Sequence, residues 1–149
     1  MKTIDSFKGA HDFLSNFYQW PVAYEGITYP SVEHAYQAAK TIDLVERDKI
    51  QKADTAGKAK RLGKTVTMRQ NWEKIKIAVM YNLLQQKFNS FALSKQLLNT
   101  YNDTLIEGNN WGDTFWGCTQ DDDGKWAGEN HLGKLLMRVR DDLQREQED

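Results

Sequence analysis

The stretch YPSVEHAYQAAK, residues 29–40, decides how the first half of this chain folds. Pro30 closes off whatever extended segment precedes it, and Ser31 is a good helix N-cap. Behind it come helix formers with apolar residues at Val32, Ala35, Tyr36 and Ala39, a helical spacing. Residues three and four apart share a helix face, so Glu33, Gln37 and Lys40 line up over two turns with Tyr36 at the edge. At about 1.5 Å of rise per residue, Glu33 and Lys40 stand about 10 Å apart along the axis, too far for a direct ion pair but close enough to grip one ligand. The competing interpretation is a solvated polar stripe opposite an apolar face. Glu33 lies in the first helical turn, where the dipole favours the carboxylate, which suits a base or a cation stabiliser better than a general acid.

Working outward, Pro21 and Pro30 bracket VAYEGITY, which reads as a hairpin turning at Glu25-Gly26, and FLSNFYQW before it reads as an irregular loop or short strand. On the other side, LVERDKIQKA and TAGKAKRLG read as short helices, the second ending on Gly63 as C-cap. The longest helix runs from Asn71 as N-cap to about Phe88, with Trp72, Ile75, Val79, Met80, Leu83 and Leu84 on its apolar stripe. FALSKQLLNT is a further helix, DTLIEG is β-like, and a final helix starts near Asn130. The pattern predicts an α+β fold, mainly α: one compact helical domain over residues 1–149 with a small β component.

Twenty Lys and Arg against 21 Asp and Glu leave a net charge of −1, so any nucleic-acid contact has to be local. The single cysteine, Cys118, and an N-terminus without a signal-like apolar core point to the cytoplasm. No apolar run approaches the ~20 residues of a membrane helix, and the mean hydropathy is −0.73. Lys58, Lys60, Arg61, Lys64 and Arg69 form the one dense basic cluster, either a phosphate grip or a charged helix face.

A second constellation is GNNWGDTFWG, residues 108–117. Trp111 and Trp116 flank Asp113, and Gly112 allows a tight turn. Rings to stack and an acid to act on a glycosidic atom suit a sugar or nucleotide site; a turn that uses Asp113 for backbone hydrogen bonds fits equally. GENHLG, residues 128–133, opens the last helix but lacks a Rossmann or P-loop pattern. His11, His34 and His131 lack metal-ligand spacing, Asp121, Asp122 and Asp123 with Gly124 read as a hairpin turn, and no metal or cofactor is expected. Cys118 has no partner base for acyl chemistry.

Together, FLSNF, YPSVEHAYQAAK, AKRLGK, NWEKIKIAVMYNLLQQKF, LIEGNNWGD and GENHLGKLLMRVR resemble the NADAR family across nearly the whole chain and in the right order. The resemblance implies hydrolysis of an N-glycosidic bond between ribose and an amino-bearing base. The implied substrates are ADP-ribose on guanine in DNA or RNA, with an ADP-ribosyltransferase toxin as counterpart, or phosphorylated ribosylamino pyrimidines of riboflavin synthesis. A non-catalytic ADP-ribose binding module is the alternative of a different class. The resemblance places function on Glu33, Lys40, Trp72 and Asp113, and binding on Asn16 and Asn130. The Asp-rich stretch carrying Trp116 and Trp126 departs from the family pattern and bears on substrate preference.

Overall fold

The computed structural model describes residues 2–148. In chain order the elements are β1 (Thr3–Ile4), a 3-10 turn (Gly9–Leu14), β2 (Gln19–Tyr24), β3 (Ile27–Ser31), α1 (Val32–Ala39), α2 (Leu44–Gln51) and α3 (Ala56–Gly63). There follow α4 (Trp72–Lys87), α5 (Phe91–Leu98), β4 (Thr104–Leu105), β5 (Thr119–Gln120), β6 (Trp126–Ala127) and α6 (His131–Glu148). The fold is α+β and mainly helical. The chain divides into two compact units, Asn16–Lys87 and Met1–Ser15 with Phe88–Asp149.

In the unit Asn16–Lys87, β2 and β3 pair antiparallel with Val22 opposite Tyr29 and Tyr24 opposite Ile27. Glu25 (φ 47°) and Gly26 (φ 83°) both adopt positive φ, the turn that matches the twist of a two-residue hairpin. The register breaks between Gln19 and Val22, where Pro21 has no N–H to give the ladder. The buried Arg47 of α2 pins this hairpin: its Nε donates to the Thr41 carbonyl at 2.7 Å and its Nη2 to Glu25 Oε1 at 2.8 Å, with the guanidinium over the Tyr24 ring.

Every residue of α1 is buried, and the helix packs against β2, β3, α2, α3 and α4. Its start is fixed by Ser31, whose Oγ accepts from the His34 N–H at 3.1 Å. The His34 ring lies between Ser31 Oγ at 2.7 Å and the Ala53 carbonyl at 2.9 Å. A carbonyl can only accept, so Nε2 carries the proton and Nδ1 accepts from the Ser31 hydroxyl. That tautomer ties α1 to the end of α2.

Asp43 and Thr55 cap α2 and α3 through their side chains. Gly63 is still helical, and Lys64 takes the C-cap position with φ −76°. α3 does end on Gly63, but the expected C-cap role is corrected by one residue to Lys64; Gly63 is glycine because α3 approaches α1 there, and a Cβ would run into the Gln37 side chain. Asn71 stands at the expected N-cap position immediately before α4, its carbonyl accepting from the Lys74 N–H at 3.0 Å, while its side-chain Oδ1 accepts from Arg69 Nε at 3.0 Å. In α4, Met80, Leu83 and Leu84 are at most 1% exposed, each side chain contributing about 1.5–3 kcal/mol by burial.

In the other unit, β1 and β4 pair in parallel, with Ile4 opposite Leu105. Gly133 lets α6 close onto the Leu105 carbonyl. Further along α6, Arg140 Nη1 donates to Thr100 Oγ1 at 2.9 Å and to the Asp103 carbonyl at 2.8 Å. Leu93 and Leu97 of α5 and Leu132, Leu136 and Val139 of α6 are buried. The aspartate run is the turn joining β5 to β6, with Asp121 Oδ1 accepting from the Asp123 and Lys125 N–H groups at 2.9 Å.

Candidate active site

The polar face of α1 is not a solvated stripe. Glu33 is 7% and Gln37 4% exposed. Burying such groups is costly unless they are bonded, and here the bonds run along the helix. Gln37 Nε2 donates to Glu33 Oε1 at 2.8 Å, one turn away. The Glu33 N–H in turn donates to the Asn16 carbonyl at 3.0 Å, which fastens the SNF segment to the start of α1.

Asn16 is itself buried, its Nδ2 making only a 3.5 Å bond to Met80 Sδ. Among the described residues, three buried side-chain oxygens have no partner: Asn16 Oδ1, Gln37 Oε1 and the Tyr29 hydroxyl. Each such group costs roughly 1–3 kcal/mol of desolvation, and native proteins keep few of them. Two of the three belong to residues that hold Glu33, Asn16 at its N–H and Gln37 at its carboxylate; Gln37 Oε1 lies against Gly63, which leaves Asn16 Oδ1 as the acceptor that a hydroxyl or amino donor would satisfy.

Lys40 is the C-cap residue of α1. Its Nζ lies 5.6 Å from the centre of the Tyr36 ring, and Tyr36 meets the buried Trp72 of α4 at 5.2 Å and 57°. The Lys40 carbonyl accepts from the Arg69 N–H at 2.7 Å, holding the chain beyond the helix in place. Burial pushes the Lys40 pKa down; the Glu33 carboxylate opposes this, and Lys60, Lys76 and Lys64 add to it. The result is an amine drawn toward its neutral, nucleophilic form while held on an aromatic platform. Asn16, Glu33, Lys40 and Trp72 thus all belong to one unit, as do Gln37 and Tyr36.

Trp111, Gly112, Asp113 and Asn130 belong to the other unit. Asp113 Oδ1 accepts from the Phe115 N–H at 3.1 Å and the Trp116 N–H at 3.0 Å. This is the turn-holding geometry that the sequence equally allowed. The Asn130 side chain is engaged at both ends, Oδ1 with the Glu107 N–H at 3.0 Å and Nδ2 with the Leu105 carbonyl at 2.9 Å. Its backbone has φ 52°. Trp111 is 55% exposed, Gly112 has φ 86°, and both line an open cavity of about 690 Å³ with Asp5, Lys8, Asn110 and Trp126. Trp126 Nε1 donates to Asp5 Oδ2 at 3.0 Å. Burial pushes the Cys118 thiol up, which leaves it a poor nucleophile at neutral pH.

The family model of the NADAR domain matches residues 5–144, a span that includes both units. The chain belongs to the NADAR domain family. This NADAR chain is 38% identical over 133 residues to the protein named N-glycosidase YbiA of Escherichia coli, a match covering 87% of the chain and 80% of YbiA. It is 38% identical over 137 residues to a protein of Vibrio vulnificus named as a riboflavin biosynthesis protein, covering 90% of this chain and only 36% of that one. The solved NMR structure of E. coli YbiA superposes with a TM-score of 0.80 at 35% identity, covering 100% of this chain and 90% of YbiA.

Proposed function

We propose that this protein is an N-glycosidase that hydrolyses the bond between ribose and an amino-bearing base, with ADP-ribose on guanine as its leading substrate. The observation that carries the reading is one buried helix bearing a carboxylate clasped by Gln37 and, two turns on, a lysine whose charge is disfavoured by burial. The names of the E. coli and V. vulnificus relatives support N-glycosyl hydrolysis as the reaction class.

Departure of an amino-linked base leaves positive charge on C1′ and the ring oxygen of the ribose. The Glu33 carboxylate stabilises that charge, and Gln37 keeps it aimed. Lys40 opens a covalent route. A ribosylamine whose ring has opened carries a C1′=N bond to the base, and the neutral Lys40 amine adds to C1′. The base departs as its free amine after taking a proton, leaving C1′=N to Lys40. Water then hydrolyses this imine to the sugar aldehyde and regenerates the lysine. Trp72 and Tyr36 keep bulk water from the amine, and Asn16 Oδ1 accepts from a ribose hydroxyl.

The decisive assay incubates the protein with a guanine-ADP-ribosylated oligonucleotide and follows free ADP-ribose by mass spectrometry, beside Lys40→Ala and Glu33→Gln. Release by the wild type, and a fall of about 10²–10⁴-fold in each variant, is expected. Borohydride should fix the sugar on Lys40. The name of the V. vulnificus relative favours a second reading, phosphorylated ribosylamino pyrimidines, so these run in parallel. Binding of both substrate classes without turnover of either would end the enzyme reading in favour of a binding module.

A further inference from the structure

Trp126 and the aspartate-rich hairpin that carries it depart from the family pattern and take no part in the reaction proposed above. The indole is nonetheless fixed at both ends. Its Nε1 donates to Asp5 Oδ2 at 3.0 Å, and its six-membered ring lies against Gly108, where an added Cβ would come within 2.6 Å of Trp126 Cη2 and would also strike the Asp5 carbonyl. The same cavity is lined by Trp111, which is 55% exposed. Its loop is braced by the buried Asn109, whose Oδ1 accepts from the Trp111 and Asp113 N–H groups at 3.2 and 3.0 Å while its Nδ2 donates to the Asp113 carbonyl at 2.8 Å. An aromatic side chain held in water by a braced backbone binds a ligand with little further loss of conformational entropy.

The remaining lining is polar and close to neutral, with Asp5 and Lys8 as its two charged groups among the described residues. A volume of about 690 Å³ suits a ligand of small-molecule size. Asn110 offers an amide donor and acceptor side by side, the pair that the edge of a base takes up. A sugar ring would call on the carboxylate for its hydroxyls, but Asp5 Oδ2 is already engaged with Trp126. A long run of phosphates is disfavoured by Asp121, Asp122 and Asp123 on the hairpin that carries Trp126, whereas Lys8 can meet one phosphate. Two indoles, an amide and a single cation therefore fit a flat, hydrogen-bonding ring with one anionic group beside it.

We infer that this cavity is a nucleobase site: one unpaired base stacks on Trp111 and Trp126, Asn110 hydrogen-bonds to its edge, and Lys8 meets the adjoining phosphate. The base comes from a free nucleotide or from a single strand. In the second case the site holds an unmodified base of the nucleic acid that carries the modified guanine, and to that extent it rests on the glycosidase reading. A chain of net charge −1 then grips its strand at one nucleotide instead of along a basic groove.

The test is fluorescence anisotropy of a labelled, unmodified single-stranded hexanucleotide, with titration calorimetry of a nucleoside monophosphate beside it. The proteins are the full chain, its Trp111→Ala, Trp111→Phe and Lys8→Gln variants, and Phe91→Ala at an exposed position of α5 as control. Thermal melting checks that each variant is folded. Saturable binding is expected, weakened about 5- to 150-fold in Trp111→Ala, largely restored in Trp111→Phe and unchanged in the control. Affinity for the strand should fall with salt at a logarithmic slope of about −0.7, that of one phosphate contact, and Lys8→Gln should flatten it. Monophosphate binding as tight as that of the strand assigns a free nucleotide; tighter binding of the strand assigns nucleic acid. Equal binding of the duplex, displacement by maltose, no binding of strand or monophosphate, or wild-type affinity in Trp111→Ala would overturn the site. A protein that binds the unmodified strand but never hydrolyses an ADP-ribosylated one keeps the site and loses the glycosidase. Hydrolysis of the ADP-ribosylated strand by Trp111→Ala at the wild-type kcat/KM does the reverse.

Discussion

Replacing Gly63 by alanine separates helix propensity from the packing that positions Glu33. In an ordinary helix, Gly→Ala stabilises by about 0.5–1 kcal/mol through the entropy of the unfolded chain. Here an added Cβ would lie 2.6 Å from Gln37 Cδ and 3.0 Å from Gln37 Cβ. Ordinary carbon contacts are about 3.5–4.0 Å, and overpacking of this degree costs about 1–3 kcal/mol. Gln37 is 4% exposed and cannot swing into solvent, so the helices must part or the amide must leave Glu33. Taking midpoints, about 2 against about 0.75, the net loss is about 1 kcal/mol. Urea denaturation of Gly63→Ala should show a lower midpoint at unchanged slope. In a Gln37→Ala background only the 3.0 Å approach to Cβ remains, so the same change should cost much less than in the wild type, giving a coupling energy within about 0.5–3 kcal/mol. A Gly63→Ala protein more stable than wild type would refute the close approach of α3 to α1 and with it the reason Glu33 is held in place.

Lys60 pushes the Lys40 pKa down, so Lys60→Gln raises it, and the limb on which activity rises with pH should move to higher pH in a kcat/KM profile; an unmoved limb would mean that the titrating group is not Lys40. Asn130→Ala removes a donor and an acceptor that serve buried backbone groups and places alanine at φ 52°, so urea midpoints should report a loss of at least about 2 kcal/mol. Asp113→Asn keeps an oxygen for the Phe115 and Trp116 N–H groups and should melt within about 0.5 kcal/mol of wild type, whereas Asp113→Ala loses about 1 kcal/mol. A fully stable but inactive Asp113→Asn protein would give that carboxylate a chemical role beyond its turn.

Much of the fold was legible because its signals are local. The cap at Ser31, the Glu25-Gly26 turn and the stripe of α4 each depend on neighbours a few residues away. What the sequence left open was burial. Glu33, Gln37 and Lys40 could be read as a ligand face or as a wet stripe, because spacing shows which residues share a face and not what covers it. Gly63 was misread for a related reason: glycine marks both positive φ and close approach, and only the packing of α3 against α1 distinguishes them. Asn130 looked available from its motif, and no local pattern shows that β4 and Glu107 consume its amide.

The charge state of Lys40 links these levels. Attraction from Glu33 and from the Tyr36 ring favours the ammonium, while burial and Lys60, Lys76 and Lys64 favour the amine. Burial is the largest of these influences, so removing one lysine shifts the balance only in part. A Lys60→Gln protein should therefore keep measurable turnover with its optimum moved to higher pH, whereas loss of all turnover at every pH would mean that Lys60 does more than tune the Lys40 amine.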